Sequence, residues 1–328
     1  MAADGGPMRI GFFGGGEQAL AALEALAAES GFEIAFVHPR MAGDAGLADF
    51  AQRQGAGILT TPNVNDPKTL AAVRTYAIDL ILSINCKQIF KRELLSLPRL
   101  GAINLHNGLL PLQRGGGGAY VGIINGEVCG TTLHFIGEGI DDGDIVAQAR
   151  VEVGDDMTMG ELQRRFVTLA PQLVVDAMRQ IQSGNVVGKP QKDSPFYYVP
   201  GKPDWDEFLD WRATTKAIFD RIRARTPGPE SFFIHESERF FVVEVALEPK
   251  LAAHVNAPGQ VIQRCPDRGV LVKTLDTGIW IRRVRREDAE AAFVPKFRLG
   301  AMLVPHVYKK LFELEKRLAE LEARMEKP

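Results

Sequence analysis

From Met8 to Gln182 the chain alternates short apolar runs with amphipathic stretches, and this alternation restricts the fold more than any other feature. Met8–Phe13 reads as a strand ending in Gly14 and Gly15, and Gln18–Ala28 as an Ala/Leu-rich helix. Strands follow at Phe32–His38, Ile58–Thr61, Asp79–Ile84 and Ala102–His106, with helices at Asp44–Gln54 and Pro67–Thr75 between them. Thr131–Gly137 and Ile145–Val153 form a later strand pair, and Met157–Gln182 a long amphipathic helix. Strands separated by helices imply a mostly parallel sheet covered on both faces, a Rossmann-like α/β domain. In such sheets, sites form beyond the carboxyl ends of strands.

The pattern changes after Gly188. Residues 188–202 are rich in Pro, Lys and Gly and read as a linker. Asp210–Arg225 reads as helix. Strands are then expected at Phe232–Phe241, Val242–Leu247, Gly259–Cys265, Val270–Leu275 and Gly278–Arg285, with a hairpin turn at Asp276-Thr277-Gly278. This predicts a small antiparallel β barrel of OB-like type. The organisation expected is a catalytic domain over 8–187, a linker over 188–202, a barrel over 203–304 and a helix over 305–328. In that helix Val307, Leu311, Leu314, Leu318, Leu321 and Met325 form a heptad seam. The seam suits either packing onto its own domain or a coiled coil joining two subunits.

Composition excludes several classes. With 328 residues, 45% of them hydrophobic and 24% charged, the chain is long enough for two globular domains. A net charge of −2 gives no global attraction to nucleic acid. No apolar run reaches membrane-spanning length, and the start lacks a basic region followed by an apolar core, so a cytoplasmic protein is expected. Cys86, Cys129 and Cys265 are odd in number and far apart, which suits a reducing compartment and no metal site.

The chemistry concentrates between Ile103 and Gln148. Asn104 and His106 end a strand, and their spacing of two puts both on one face. Gly108-Leu109-Leu110-Pro111 follows, and Ile140-Asp141-Asp142-Gly143 forms a tight turn further on. An amide, an imidazole and a carboxylate can together serve a carbonyl-transfer reaction. A strand His near a turn Asp is, by itself, more often a structural pair. The stretch resembles the folate-dependent formyltransferases, whose signature is Asn-x-His-x-Ser-Leu-Leu-Pro followed by a hydrophobic residue-Asp-x-Gly turn. It departs from them at Gly108, where the family has Ser, and in the run Gly115–Gly118 after Arg114.

The resemblance implies 10-formyltetrahydrofolate as formyl donor, a primary amine as acceptor and no metal. It also implies that Asn104 meets the oxyanion, His106 moves the proton, and Asp141 keeps His106 in its proton-accepting form or relays a proton through water. Asp141 is chosen over Asp142, expected to be solvated, and Asp144 because the family's Asp precedes x-Gly. Backbone groups of Gln88, Ile89 and Phe90 would line one side of the pterin pocket, and Gly137, Glu138, Gly139 and Ile140 the other. Gly108, Leu109, Leu110 and Pro111 would complete it. The glycines after the first strand read as a strand-to-helix turn near the site, His134 as structural, and Arg282–Arg286 as a solvated strand face.

Three acceptors remain: a nucleotide-linked amino sugar, methionyl-tRNA and a small amine such as hydroxyornithine. The wording of the core looks closest to the amino-sugar branch. The tRNA branch has a basic insertion after the second strand, whereas here residues 38–46 carry only Arg40. Tyr120, Tyr197, Tyr198 and Trp205 are candidates for stacking a nucleotide base. A non-catalytic folate-binding relative and a formyl-folate hydrolase are the other readings.

Overall fold

The computed structural model describes residues 6–41, 43–191, 195, 197–198, 207–228, 230–248, 251, 255–303, 314 and 318. The heptad seam apart from Leu314 and Leu318, Trp205 and most of the expected linker lie outside these residues. The chain divides into two compact units, Met1–Lys202 and Pro203–Pro328.

The first unit runs β1 (Met8–Gly14), α1 (Glu17–Ala27), β2 (Phe32–Pro39), α2 (Ala45–Gln54), β3 (Gly57–Ile58), α3 (Pro67–Thr75), β4 (Leu80–Ile84), α4 (Arg92–Leu95) and β5 (Ala102–His106). It continues through β6 (Gln113–Arg114), α5 (Gly118–Asn125), β7 (Cys129–Phe135), β8 (Ile145–Val151), α6 (Met159–Gln182) and β9 (Tyr197–Tyr198). The main sheet has the order β3-β2-β1-β4-β5-β7-β8. β3 to β5 pair in parallel, whereas β5–β7 and β7–β8 are antiparallel. The expected third strand shrinks to Gly57–Ile58.

Alternation along the strands divides the core in two. Met8, Ile10 and Phe12 of β1 join Leu80, Leu82, Ile84, Ile103 and Leu105 in a cluster closed by side chains of α1, α2 and α6. Phe13, Ile81 and Ala102 point the other way and pack with Phe36, Val73, Phe90 and Leu94. Gly11 is required on that second face, since a Cβ there would lie 2.6 Å from the Phe36 ring. Because Ile103 and Leu105 are committed to the first cluster, Asn104 and His106 must emerge on the opposite face.

α6 starts at a capping box: the Thr158 hydroxyl accepts from the Glu161 amide, and the Glu161 carboxylate accepts from the Thr158 amide. Thr158→Ala is expected to cost about 1 kcal/mol, read as a lower midpoint in urea unfolding. An unchanged midpoint would show that packing of α6 alone fixes its start.

The second unit contains α7 (Thr215–Arg223) and a sheet of order β10-β11-β14-β13-β12. These strands are β10 (Phe232–His235), β11 (Glu238–Glu248), β12 (Val261–Cys265), β13 (Gly269–Lys273) and β14 (Gly278–Arg286). All neighbours are antiparallel, and among the described residues β10 and β12 are not paired to each other. Two expectations are corrected. The helix begins at Thr215, because Thr214 caps it and Leu209 and Trp211 are drawn into the core. The expected strand Phe232–Phe241 is a hairpin, turning at Glu236 and Ser237, both of positive φ. The expected turn at Asp276 lies between β13 and β14, and the Asp276 carboxylate also accepts from the Thr215 amide at 2.8 Å.

Among the described residues no helix is long and apolar enough to cross a membrane. Cys86, Cys129 and Cys265 are free thiols.

Candidate active site

The register of β5 against β7 builds the site. Asn104 lies opposite His134, and His106 opposite Thr132. Asp141 reaches the same place from the turn after β7, with φ +50. Its Oδ2 lies 3.5 Å from His106 Nδ1 and its Oδ1 3.4 Å from His134 Nε2. Asn104 Nδ2 is 3.3 Å from His134 Nε2. The three expected residues therefore meet, and His134 joins them. Sequence reasoning left His134 as a structural residue. Only the antiparallel pairing of β5 with β7 places it directly across from Asn104.

The protonation pattern follows from the acceptors. A carbonyl only accepts, so His106 Nε2 donates its hydrogen to the Gln113 carbonyl at 2.7 Å. The neutral ring then carries its lone pair on Nδ1, which faces Asp141. The tautomer of His106 is thus set by Gln113, which takes over one of the two roles expected of Asp141. Likewise His134 Nδ1 donates to the Phe135 carbonyl at 2.8 Å, leaving Nε2 to accept from the Asn104 amide.

Burial lowers the His106 pKa below its ordinary value, and Asp141 and the Gln113 carbonyl only partly offset this. Burial alone would raise Asp141. The adjoining His134 and His106 rings, whose protonated forms pair with the carboxylate, and the Gly115 amide, which donates to Oδ2 at 2.9 Å, outweigh burial and hold the carboxyl well below the usual range.

The loop after β5 is fastened tightly beneath these groups. Thr132 donates to the Gly108 carbonyl at 2.7 Å and accepts from the Leu110 amide. Gln148 donates to the Leu110 carbonyl and to Thr132. The Gln113 side chain accepts from the Leu109 amide. The main chain of Gly108, Leu109 and Leu110 is therefore largely satisfied by the protein itself, and its visible effect is to hold Gln113 against His106. Gly108 is a steric necessity here: a Cβ would lie 2.5 Å from His106 Nε2 and 2.8 Å from the Gln113 carbonyl.

The expected pocket walls differ from one another. Phe90 is buried and packs edge-on to Phe13, and the Gln88 side chain bonds Val64 and Pro62, so neither offers a free side chain. Asn65 takes the Ile89 carbonyl. Ile89 and Ile140, however, are 66% and 45% exposed, apolar side chains on the two segments expected to flank a flat ring. The Asp142 carboxylate, expected to be simply solvated, also lies over the backbone at Gly137, where a Cβ would come within 2.6 Å of it. Beyond the glycine turn after β1, Gln18 on α1 exchanges two hydrogen bonds with Asn107, the residue after His106. Tyr120 is buried and Tyr198 exposed. Among the described residues no group of His, Cys, Asp and Glu is placed to hold a metal ion.

Sequence reasoning also missed Gln191. It belongs to the segment expected as linker, but Lys189 exchanges two backbone hydrogen bonds with Ile145, and Gln191 is buried against the Asp141 turn. No local motif marks it.

Comparisons with known proteins agree with this geometry. The formyl transferase family model matches residues 8–178, and the model of the formyl transferase C-terminal domain matches 204–300. The methionyl-tRNA formyltransferase of Ruminiclostridium cellulolyticum is 30% identical over 303 residues, covering 89% of this chain and 96% of its own. WlaRD, a sugar 3N-formyl transferase solved in the presence of dTDP and 5-N-formyl-THF, is similar with a TM-score of 0.64 at 19% identity, over 86% of this chain and 98% of its own. HypX from Aquifex aeolicus in complex with tetrahydrofolic acid gives 0.60 at 20% identity, over 86% and 44%. At such identities the two structures speak for the fold alone. The matched models and the extent of the R. cellulolyticum likeness show that the chain belongs to the formyl transferase family.

Proposed function

We propose that the protein transfers a formyl group from 10-formyltetrahydrofolate to a primary amine, with Asn104, His106 and Asp141 as the reacting set. The observation that carries this reading is the convergence of an amide, an imidazole and a charged carboxylate at the end of β5. As the amine nitrogen adds to the formyl carbon, its proton passes to His106 Nδ1, the nitrogen bearing the lone pair. The resulting imidazolium is paired with Asp141, which stays charged. One Asn104 N–H is shared with His134, and the other donates to the carbonyl oxygen as it gains charge. His106 then returns its proton to the leaving N10 nitrogen. The donor's flat ring would be flanked by the segments of Ile89 and Ile140, and the donor supplies the formyl carbon.

The acceptor we favour is a nucleotide-linked amino sugar. The β2–α2 connection carries only Arg40 as a basic residue. Three arginines of the run at 282–286 face acidic partners: Arg282 with Glu244, Arg285 with Glu230, Arg286 with Glu238. That run is therefore a poor phosphate-binding stripe. Methionyl-tRNA is the second reading, supported by the 30% identity that extends over 96% of the R. cellulolyticum enzyme. The purified protein should be given 10-formyltetrahydrofolate with a panel of amino-sugar nucleotides, hydroxyornithine and methionyl-tRNA, and tetrahydrofolate release followed. Turnover with an amino-sugar nucleotide is expected. Turnover with tRNA alone would overturn the acceptor. Folate binding without turnover on any amine would make the protein a binding relative.

A further inference from the structure

We propose that Gln191, held by Arg114, is a positioning residue that fixes the Asp141 turn and so sets the carboxylate against His106 and His134; this rests on the formyl-transfer reading above. Asp141 adopts φ +50, a left-handed conformation that Asp tolerates better than most residues but that its partners must still hold in one orientation. Gln191 grips the turn from the main-chain side. Its Nε2 donates one hydrogen to the Asp141 carbonyl at 3.1 Å and the other to the Gly143 carbonyl at 2.5 Å. Both donors of the amide are thereby used, and they grip the turn on either side of Asp142. The amide cannot flip, because its Oε1 accepts from Arg114 Nη2 at 3.2 Å.

The next residue closes the ring. The Gly115 amide donates to Asp141 Oδ2. Arg114 and Gly115 therefore hold one aspartate twice: through Gln191 at its backbone and directly at its carboxylate. Gln191 is 4% exposed, so no water replaces these bonds cheaply. Gly143 completes the turn, since a Cβ there would collide with the Phe135 carbonyl. No titrating group or substrate contact is needed for Gln191 to act. Its effect on the reaction runs wholly through where Asp141 points.

The test uses the full chain, with Gln191→Met, Gln191→Glu, Arg114→Met and the double variant Arg114→Met/Gln191→Met. Gln191→Met keeps the volume and removes both donors. Gln191→Glu keeps an acceptor for Arg114 and turns oxygen toward the two carbonyls. The expected result is a fall in kcat of about 10- to 100-fold for either Gln191 variant, with KM for both substrates within about threefold. The double variant should be no worse than the poorer single, because the two residues act as one unit. A second readout is independent of turnover: the His106 imidazole, titrated by NMR, should move to lower pH in Gln191→Met as Asp141 drifts away. Wild-type kcat and an unmoved His106 titration in folded Gln191→Met and Gln191→Glu would overturn the proposal and leave the formyl-transfer reading intact. A wild-type protein that transfers no formyl group would sink that reading instead, and the titration would still decide the role of Gln191. Should both Gln191 variants unfold, Arg114→Met decides alone: wild-type kcat and titration there would overturn the proposal.

Discussion

Asp141→Asn is expected to lower kcat for formyl transfer by about a hundred- to ten-thousandfold while the protein stays folded. The substitution keeps the shape and removes the charge. An amide at 141 can still accept from the Gly115 amide, so the turn has reason to persist. What disappears is the partner of the His106 imidazolium, in a buried place where an unpaired cation is costly. Unchanged kcat in a folded Asp141→Asn protein would remove Asp141 from the reacting set. His106→Ala and Asn104→Ala should be similarly inactive, as each removes a different part of the same step.

The same variant predicts a pH signature. His106 already titrates below its ordinary value because burial dominates, and Asp141 pushes back upward. Without the carboxylate, burial is opposed only by the Gln113 carbonyl. The acid limb of kcat/KM should therefore lie at lower pH in Asp141→Asn than in the wild type. For stability the sign runs the other way. Asp141 is depressed in the folded state, so it stabilises the fold above its unfolded pKa of about 4. That contribution is lost only as pH falls through the lower folded value. The stability gap between wild type and variant should thus be full near neutrality and close in strong acid, as read by urea unfolding at a series of pH values.

Much of this site was legible because it depends on local pattern. The end of β5 at His106 and the common face of Asn104 and His106 follow from strand alternation, and the structure has β5 where the apolar run places it. The choice of Asp141 rested on resemblance, and the turn brings that carboxylate to both imidazoles. What escaped was set by partners distant in sequence. His134 became a member of the cluster only once β7 paired antiparallel with β5. Gln191 lies 50 residues from Asp141, and nothing in its neighbours says that it folds back. The bond from His106 to the Gln113 carbonyl is not legible either, because a backbone carbonyl carries no residue identity. In the second unit the Glu236-Ser237 turn was read through as strand, since neither residue is the Asn or Gly usually found at positive φ.

Gly108 is where this chain leaves its family's signature, and Gly108→Ala should be far more damaging than its size suggests. The added Cβ would lie 2.5 Å from His106 Nε2 and 2.8 Å from the Gln113 carbonyl. The first contact could be relieved by turning the imidazole, but that breaks the bond which fixes its tautomer. The second involves backbone fastened on both sides, by Thr132 and Gln148 to the loop and by the Gln113 side chain to Leu109. Neither neighbour yields without loss. Overpacking of this kind costs about 1–3 kcal/mol, and a displacement of His106 by about 1 Å would lower kcat roughly a hundredfold. Gly108→Ser, which restores the family's residue, should fail in the same way, since Ser adds a hydroxyl to the same Cβ. The two losses are separable: unfolding experiments report the strain, and steady-state kinetics report the histidine. A Gly108→Ala protein with wild-type stability and kcat would mean that the 108–113 loop moves aside freely. It would also mean that Gln113 does not govern which nitrogen of His106 takes the proton.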